Sequence, residues 1–207
     1  MRYVYLHGFA SGPSSRKAQF FAGRFLECGL TLEVPDLAAG DFEHLTIGGQ
    51  LGLMERILKG DAACLIGSSM GGYLAALYAS RHPEVERVVL MAPAFGFARR
   101  WPEALGDEAY SQWKSTGWLP FFHYVDQLDR RVHFGLIEDG LRYEDDPEVR
   151  QPVLVLHGTE DEVVPIEYSR EFARRNAHAG LVALESGHEL GDQLERLWTE
   201  SRKFLFE

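Results

Sequence analysis

The stretch CLIGSSMGGYLAAL, residues Cys64 to Leu77, joins two hydrophobic segments through a turn of serines and glycines. Residues Ala63–Ile66 form a short apolar run typical of a buried strand, and the residues from Met70 onward have helical periodicity. The turn between them fits the pattern G-x-S-x-G. Between a strand and a helix, this pattern is typical of a nucleophilic serine held on a sharp turn.

The glycine spacing distinguishes between the two adjacent serines. On so tight a turn, side chains two residues before and two residues after the central residue would collide. Ser69 has Gly67 and Gly71 at these positions, whereas Ser68 has bulky side chains at the same spacing. The sequence therefore predicts Ser69 as the nucleophile. The alternative is a glycine-rich turn whose serine only caps the following helix.

Apolar runs and helical segments alternate along the rest of the chain, which predicts a doubly wound, mainly parallel α/β sheet of about six strands. The predicted strands are Tyr3–Leu6, Leu30–Val34, Ala63–Ile66, Val88–Met91, Val153–Leu156 and Leu181–Leu184. The predicted helices are Ser15–Cys28, Thr46–Leu58, Met70–Arg81, Ile166–Arg175 and Leu190–Phe206.

One segment, Gly96 to Arg150, interrupts the alternation and shows no clean strand. Nine aromatic residues lie between Phe95 and Tyr124. We interpret residues 1–207 as a single domain, with residues 96–150 as a cap insertion above Ser69. Trp113, Trp118 and Phe121 are candidate substrate-binding residues, although aromatic side chains of this kind can equally pack the cap onto the sheet.

Two further candidates follow strands downstream of the serine. Asp161 comes just after the strand Val153–Leu156, and His188 comes just after the strand Leu181–Leu184. The carboxyl ends of parallel strands meet at one edge of a sheet, where such folds build their sites. The order serine, acid, histidine is typical of acyl-transfer triads on this kind of turn. Glu160 and Glu162 are alternatives for the acid.

The first predicted strand ends in His7-Gly8-Phe9, a tight loop that can face the serine. We predict that the backbone N–H groups of Phe9 and Met70 form an oxyanion hole. His7 is expected to hold the loop by hydrogen bonds. The arginine pairs at 99–100 and 130–131 either receive an anionic group at the mouth of the site or pair with neighbouring acids.

Composition excludes several classes of protein. The chain has 31 acidic and 21 basic residues and a net charge of −10, which argues against a nucleic-acid partner. No apolar run has the ~20 residues of a membrane span, and the N-terminus does not resemble a secretory signal. Cys28 and Cys64 belong to no metal-binding pattern and are predicted to be buried free thiols. We expect a cytoplasmic protein; the sequence says nothing of its oligomeric state.

These motifs resemble those of the α/β-hydrolases over nearly the whole chain. The matching residues are HGF at 7–9, GSSMGG at 67–72, HGTEDEVVP at 157–165 and SGH at 186–188. The run HGFASGPSSRK is similar to the opening of the small bacterial YqiA-like esterases. The resemblance implies Ser69 as nucleophile, Asp161 as acid and His188 as base. It also implies a strand order of 2-1-3-4-5-6, with strands numbered along this chain.

The activity implied by the resemblance is cofactor-free hydrolysis of a carboxylic ester or thioester, with no metal. The substrate would be a small acyl ester or thioester, or an acylated protein. Two alternatives remain open. One is a catalytically silent binding protein on the hydrolase fold. The other is a cofactor-free acyltransferase or perhydrolase that uses the same triad.

Overall fold

The computed structural model describes all 207 residues and contains seven strands and eight helices. The strands are β1 (Arg2–Leu6), β2 (Ala63–Ser68), β3 (Val85–Met91), β4 (Trp118–His123), β5 (Leu128–His133), β6 (Val153–Gly158) and β7 (Ala179–Leu184). The helices are α1 (Arg16–Glu27), α2 (Ile47–Leu58), α3 (Met70–Ala79), α4 (Trp101–Leu105), α5 (Asp107–Thr116), α6 (Gly135–Gly140), α7 (Ile166–Arg175) and α8 (Leu194–Phe206).

Five of the strands form one parallel sheet in the order β1-β2-β3-β6-β7. Successive residues of these strands pack on opposite faces, as the near-continuous apolar runs predict. In β1, for example, Val4 and Leu6 belong to the core that contains α2, α3 and α7, whereas Tyr5 belongs to the core that contains α1 and α8. The sheet is therefore covered on both faces, which confirms the predicted doubly wound architecture.

The predicted strand Leu30–Val34 is reduced to an isolated bridge between Val4 and Glu33. The backbone of Glu33 donates to Tyr3 and accepts from Tyr5, so this segment lies at the outer edge of β1. To continue this pairing with β1, the backbone N–H of residue 35 would have to donate the next hydrogen bond. Residue 35 is a proline and has no N–H, so the pairing ends after one bridge. The sheet thus has five strands instead of about six, and the predicted strand order holds if the bridged segment counts as the second strand.

The insertion between β3 and β6 contains an antiparallel hairpin, β4–β5, which contradicts the expectation of no strand in this segment. The sequence did not predict these two strands because β4 contains Pro120, which is rare inside strands, and β5 consists mostly of exposed polar residues. The turn between them lacks glycine, and Gln127 takes the left-handed conformation instead, with φ 56°. The prediction of two buried thiols was also wrong in part, since Cys28 at the end of α1 is exposed.

Candidate active site

Ser69 occupies a strained turn between β2 and α3, with φ 55° and ψ −119°. A left-handed backbone at a non-glycine residue is uncommon and is found mostly where function requires it. A Cβ on Gly67 would lie 2.3 Å from the carbonyl oxygen of Gly71, and a Cβ on Gly71 would lie 2.1 Å from the carbonyl oxygen of Leu6. The turn can therefore form only with glycine at both positions.

Replacing Gly71 with alanine is expected to lower the free energy of unfolding by about 2–4 kcal/mol, because the new methyl group meets backbone atoms that cannot move aside. Gly23 in α1 is a matched control, since a Cβ there has nothing within 4 Å. Gly23→Ala should raise stability by about 0.5–1 kcal/mol. Urea denaturation measures both, and equal stability of the two variants would contradict the steric argument.

The structure brings the hydroxyl of Ser69 and the side chains of His188 and Asp161 into one hydrogen-bonded chain. The Nε2 atom of His188 lies 2.9 Å from the Ser69 Oγ atom, and its Nδ1 atom lies 2.8 Å from the Asp161 Oδ2 atom. Because a carboxylate only accepts, Nδ1 of His188 carries the proton and Nε2 is free to accept from the serine hydroxyl. Ser69, Asp161 and His188 follow β2, β6 and β7, at one edge of the sheet.

Asp161 accepts hydrogen bonds at both carboxylate oxygens. Its Oδ1 atom lies 2.9 Å from the backbone nitrogen of Val163 and 2.7 Å from that of Val164. Burial favours the neutral acid, but hydrogen bonds from His157, His188 and the Val164 backbone outweigh it, so the pKa of Asp161 is held well below its usual range. The two sequence alternatives, Glu160 and Glu162, are exposed, and the carboxylate that His188 binds is that of Asp161.

His157 is a member of this network that sequence reasoning did not find. It is fully buried, and its Nε2 atom lies 2.8 Å from the Val164 carbonyl oxygen and 3.0 Å from the Asp161 Oδ2 atom. Both partners are acceptors, so Nε2 carries the proton. Nδ1 lies 2.7 Å from the hydroxyl of Ser169 and accepts from it. The available signal was the histidine in LHGTEDEVVP, four residues before Asp161, but nothing in the sequence shows that it is turned inward.

The loop after β1 runs beside the serine. His7 accepts from the backbone N–H of Leu37 at Nε2 (3.1 Å), and its Nδ1 atom lies 3.0 Å from the carbonyl oxygen of Gly8. His7 therefore holds the loop by hydrogen bonds, as predicted, and burial lowers its pKa. A Cβ on Gly8 would lie 3.4 Å from the Ser69 Cβ atom, so the loop touches the serine.

A cavity of about 890 Å³ opens above Ser69, and residues of the insertion form part of its wall. Phe9, Trp101 and Phe121 form an aromatic cluster on this wall, with ring centroids 5.1–5.7 Å apart. Of the three predicted substrate-binding residues, only Phe121 reaches the cavity, although its ring packs against that of Trp113. Phe121 lines the cavity, whereas Trp113 is fully buried and donates to the Val132 carbonyl oxygen, so it packs the interior of the insertion.

Trp118 also lies away from the cavity, against the rings of His44 and His133. Most of the arginine candidates are paired with acids. Arg99 binds Asp145, Arg130 binds Asp126 and Arg131 binds Glu43, each at 2.7–3.0 Å. Arg100 lines the cavity, but its guanidinium donates to the Val163 carbonyl oxygen and lies over the Tyr168 ring.

The fold resembles those of several solved α/β-hydrolase structures. A candidate hydrolase from Agrobacterium vitis S4 is 22% identical, with a TM-score of 0.84 over 99% of this chain and 87% of that one. Mouse alpha/beta hydrolase domain-containing protein 10 is 21% identical, with a TM-score of 0.80 over 97% and 88%. Est1E from Butyrivibrio proteoclasticus, with ferulic acid bound, is 19% identical, with a TM-score of 0.78 over 99% and 89%.

One curated relative is the biotin biosynthesis bifunctional protein BioHC of Teredinibacter turnerae (strain ATCC 39867 / T7901), which is 25% identical to this chain. The match covers 81% of this chain but only 37% of the relative's own length. None of the helices has the length and apolar character to cross a membrane.

A family model described as "Uncharacterised protein family (UPF0227)" matches residues 2–204, almost the whole chain. The chain therefore belongs to the UPF0227 family and has the α/β-hydrolase fold.

Proposed function

We propose that this protein is a serine hydrolase that cleaves a carboxylic ester or thioester through an acyl-enzyme on Ser69. The observation that carries the proposal is the relay from the Ser69 hydroxyl to His188 at 2.9 Å and from His188 to Asp161 at 2.8 Å. A serine hydroxyl is a weak nucleophile unless a base takes its proton, and this relay supplies the base in the required tautomer.

In the first half of the reaction, Nε2 of His188 takes the hydroxyl proton while the Ser69 oxygen attacks the carbonyl carbon of the substrate. Asp161 stabilises the imidazolium that forms. The tetrahedral intermediate then collapses, and His188 gives its proton to the departing alcohol or thiol. In the second half, His188 takes a proton from water, the hydroxide attacks the acyl-enzyme, and the free acid and the Ser69 hydroxyl are released.

The negative charge of the tetrahedral intermediate would be bound by the backbone N–H groups of Phe9 and Met70. Neither N–H donates to an acceptor within the protein, so both are available to the substrate. Met70 is the first residue of α3, and the positive end of the helix dipole favours an oxyanion at the same place. By analogy with measured oxyanion donors, each contributes about 3 kcal/mol to stabilising the transition state.

Residues 96–150 act in this proposal as a cap over the serine. The aromatic cluster of Phe9, Trp101 and Phe121 then receives an apolar acyl or aryl group. The fold similarity to Est1E, whose structure contains ferulic acid, is consistent with an ester substrate. The substrate is a small molecule, or the acyl group of a modified protein that reaches into the cavity, and no metal or cofactor takes part.

The test is labelling with a fluorophosphonate, followed by an ester and thioester panel from acetyl to decanoyl chains. We expect stoichiometric labelling, with the adduct located on Ser69 by tandem mass spectrometry, and turnover of at least one chain length. A binding protein on this fold would take up no label and would hydrolyse nothing, which would contradict the proposal. Adding methanol or peroxide as a competing acceptor separates hydrolysis from acyl transfer, because a transferase forms the methyl ester or peracid as its main product.

We further propose that His157 positions Asp161. The Nε2–H group of His157 donates to the Val164 carbonyl oxygen and lies 3.0 Å from the Asp161 carboxylate, which shares the same proton. A full hydrogen bond to a carboxylate contributes about 1.5–3 kcal/mol, which is the upper limit for this shared contact. The double variant His157→Phe/Ser169→Ala removes this donor without leaving the Ser169 hydroxyl unpaired. We expect kcat to fall by about 10–100-fold while KM changes by less than threefold, since substrate does not touch His157. Ser169→Ala alone should stay within about threefold of the wild type, and an unchanged kcat in the double variant would contradict the role.

A further inference from the structure

Part of the wall of the cavity above Ser69 is polar, and apart from His188 its side chains have no role in the proposed acyl transfer. This wall comes from two segments, residues 11–17 after β1 and residues 188–191 after β7. The segments adjoin, because a Cβ on Gly191 would lie 3.9 Å from the guanidinium of Arg16. Lys17 lies in the first segment, and His188 and Glu189 lie in the second.

Lys17 has no partner within the protein. The residue is half-buried, and its exposed part lies in the cavity wall. The surrounding protein desolvates the ammonium group, which lowers the pKa of Lys17 to about 8. The charges of Glu189 and Asp161 act on it only from a distance, and it forms neither a hydrogen bond nor an ion pair with them. The side chain of Glu189 is exposed to solvent. A desolvated, unpaired ammonium costs free energy in the empty protein, so its natural partner is an anion in the cavity.

The N-terminus of α1 lies in the same part of the wall, since residues 14–17 line the cavity. Ser15 caps this 12-residue helix without a side-chain hydrogen bond, and the first backbone bond of the helix runs from the N–H of Gln19 to the carbonyl of Ser15. The backbone N–H groups of residues 16–18 therefore have no acceptor, and they lie at the positive end of the helix dipole. Free N–H groups and a lysine at a helix N-terminus form a typical binding site for an oxyanion.

We infer that Lys17 and the N-terminus of α1 form an anion subsite that binds a carboxylate or phosphate group carried by the ester or thioester substrate. This inference rests on the proposed function, because the subsite shares its cavity with Ser69. Two other basic side chains line the cavity: Arg100 is already engaged by the Val163 carbonyl oxygen, and Arg16 is exposed to solvent. Lys17 is thus the half-buried, unpaired cation left for the substrate.

The kinetic test uses three anionic esters: 4-butanoyloxybenzoate, 4-butanoyloxyphenyl phosphate and the 4-nitrophenyl monoester of adipic acid. Each is compared with its uncharged counterpart, which is the methyl ester of the two carboxylates and the dimethyl ester of the phosphate. The first two carry the charge on the leaving group and the third on the acyl group, so the series also locates the subsite and separates phosphate from carboxylate. We expect kcat/KM to be about 10–100-fold higher for at least one anionic ester than for its uncharged counterpart.

Lys17→Met should abolish this preference while leaving the neutral esters within about threefold of the wild type, and Lys17→Arg should restore it in part. Lys203→Met removes the same charge from an exposed position on α8 and should change nothing. An enzyme that hydrolyses neutral and anionic esters equally well, with or without Lys17, would overturn the inference and leave the proposed function standing.

Equilibrium binding to the Ser69→Ala protein tests the subsite without turnover. Calorimetry should show the anionic ester binding at least tenfold more tightly than its methyl ester, and Lys17→Met on the same background should remove the difference. If this result appears but the wild type hydrolyses no ester, the subsite stands and the hydrolase proposal fails. Equal affinities for the charged and uncharged esters would overturn the subsite.

Discussion

Replacing Ser69 with alanine is expected to reduce kcat/KM by at least about 10,000-fold and to abolish fluorophosphonate labelling. The variant retains Phe9, Met70 and the cavity, so it should still bind substrate, but it has no oxygen to form the acyl-enzyme. The fold should persist, because alanine adds no atoms to the strained turn at φ 55°. Circular dichroism spectra and melting temperatures that match those of the wild type would show that the variant has lost its nucleophile and not its fold.

Ser68→Ala is the matched control for this experiment. Ser68 is the last residue of β2, and its buried side chain forms no hydrogen bond with a histidine. We expect this variant to take up the label and to keep activity within about threefold, since removing a neutral buried hydroxyl affects mainly stability, by about 1 kcal/mol. Labelling that survives in Ser69→Ala but disappears in Ser68→Ala would contradict the choice of serine.

The second large effect is expected from Asp161→Asn, which should lower kcat by about 10,000-fold through the tautomer of His188. All four donors around Asp161 require acceptors: the N–H groups of Val163 and Val164 at Oδ1, and the rings of His157 and His188 at Oδ2. An asparagine can keep its oxygen toward the two backbone groups only by turning its NH₂ toward the two rings. That NH₂ donates to Nδ1 of His188, and the ring proton moves to Nε2, where it faces Ser69.

A proton on Nε2 prevents His188 from accepting the proton of the serine hydroxyl. Steady-state kinetics on an ester cleaved by the wild type measure the loss, and KM should change little because the carboxylate lies behind the histidine. Glu162→Gln removes a neighbouring exposed acid and should keep activity within about threefold. If Asp161→Asn retained more than a tenth of the wild-type kcat while Glu162→Gln lost activity, the acid of the relay would be misassigned.

The sequence by itself determined the elements whose requirements are local. Apolar runs predicted the five sheet strands because strands covered on both faces favour apolar side chains along most of their length. The spacing of Gly67 and Gly71 predicted Ser69 as the central residue of the turn. In the structure, a side chain at either glycine would collide with backbone atoms, so the requirement for glycine is a local one. The positions of Asp161 and His188 followed from topology, since parallel strands end at a common edge.

Only the tertiary structure decided which side chains face one another across long distances in the chain. It showed that Trp113 is interior packing and that Phe121 is cavity wall, although both lie in the same aromatic-rich segment. It also showed that His157 faces Asp161, and that Lys17 lines the same cavity as Ser69 without a hydrogen bond or ion pair. The physical reason is that the burial and the hydrogen-bond partners of a side chain depend on residues from distant segments of the chain. The hydrophobic period of one segment predicts its secondary structure, but it does not predict which other segments pack against it.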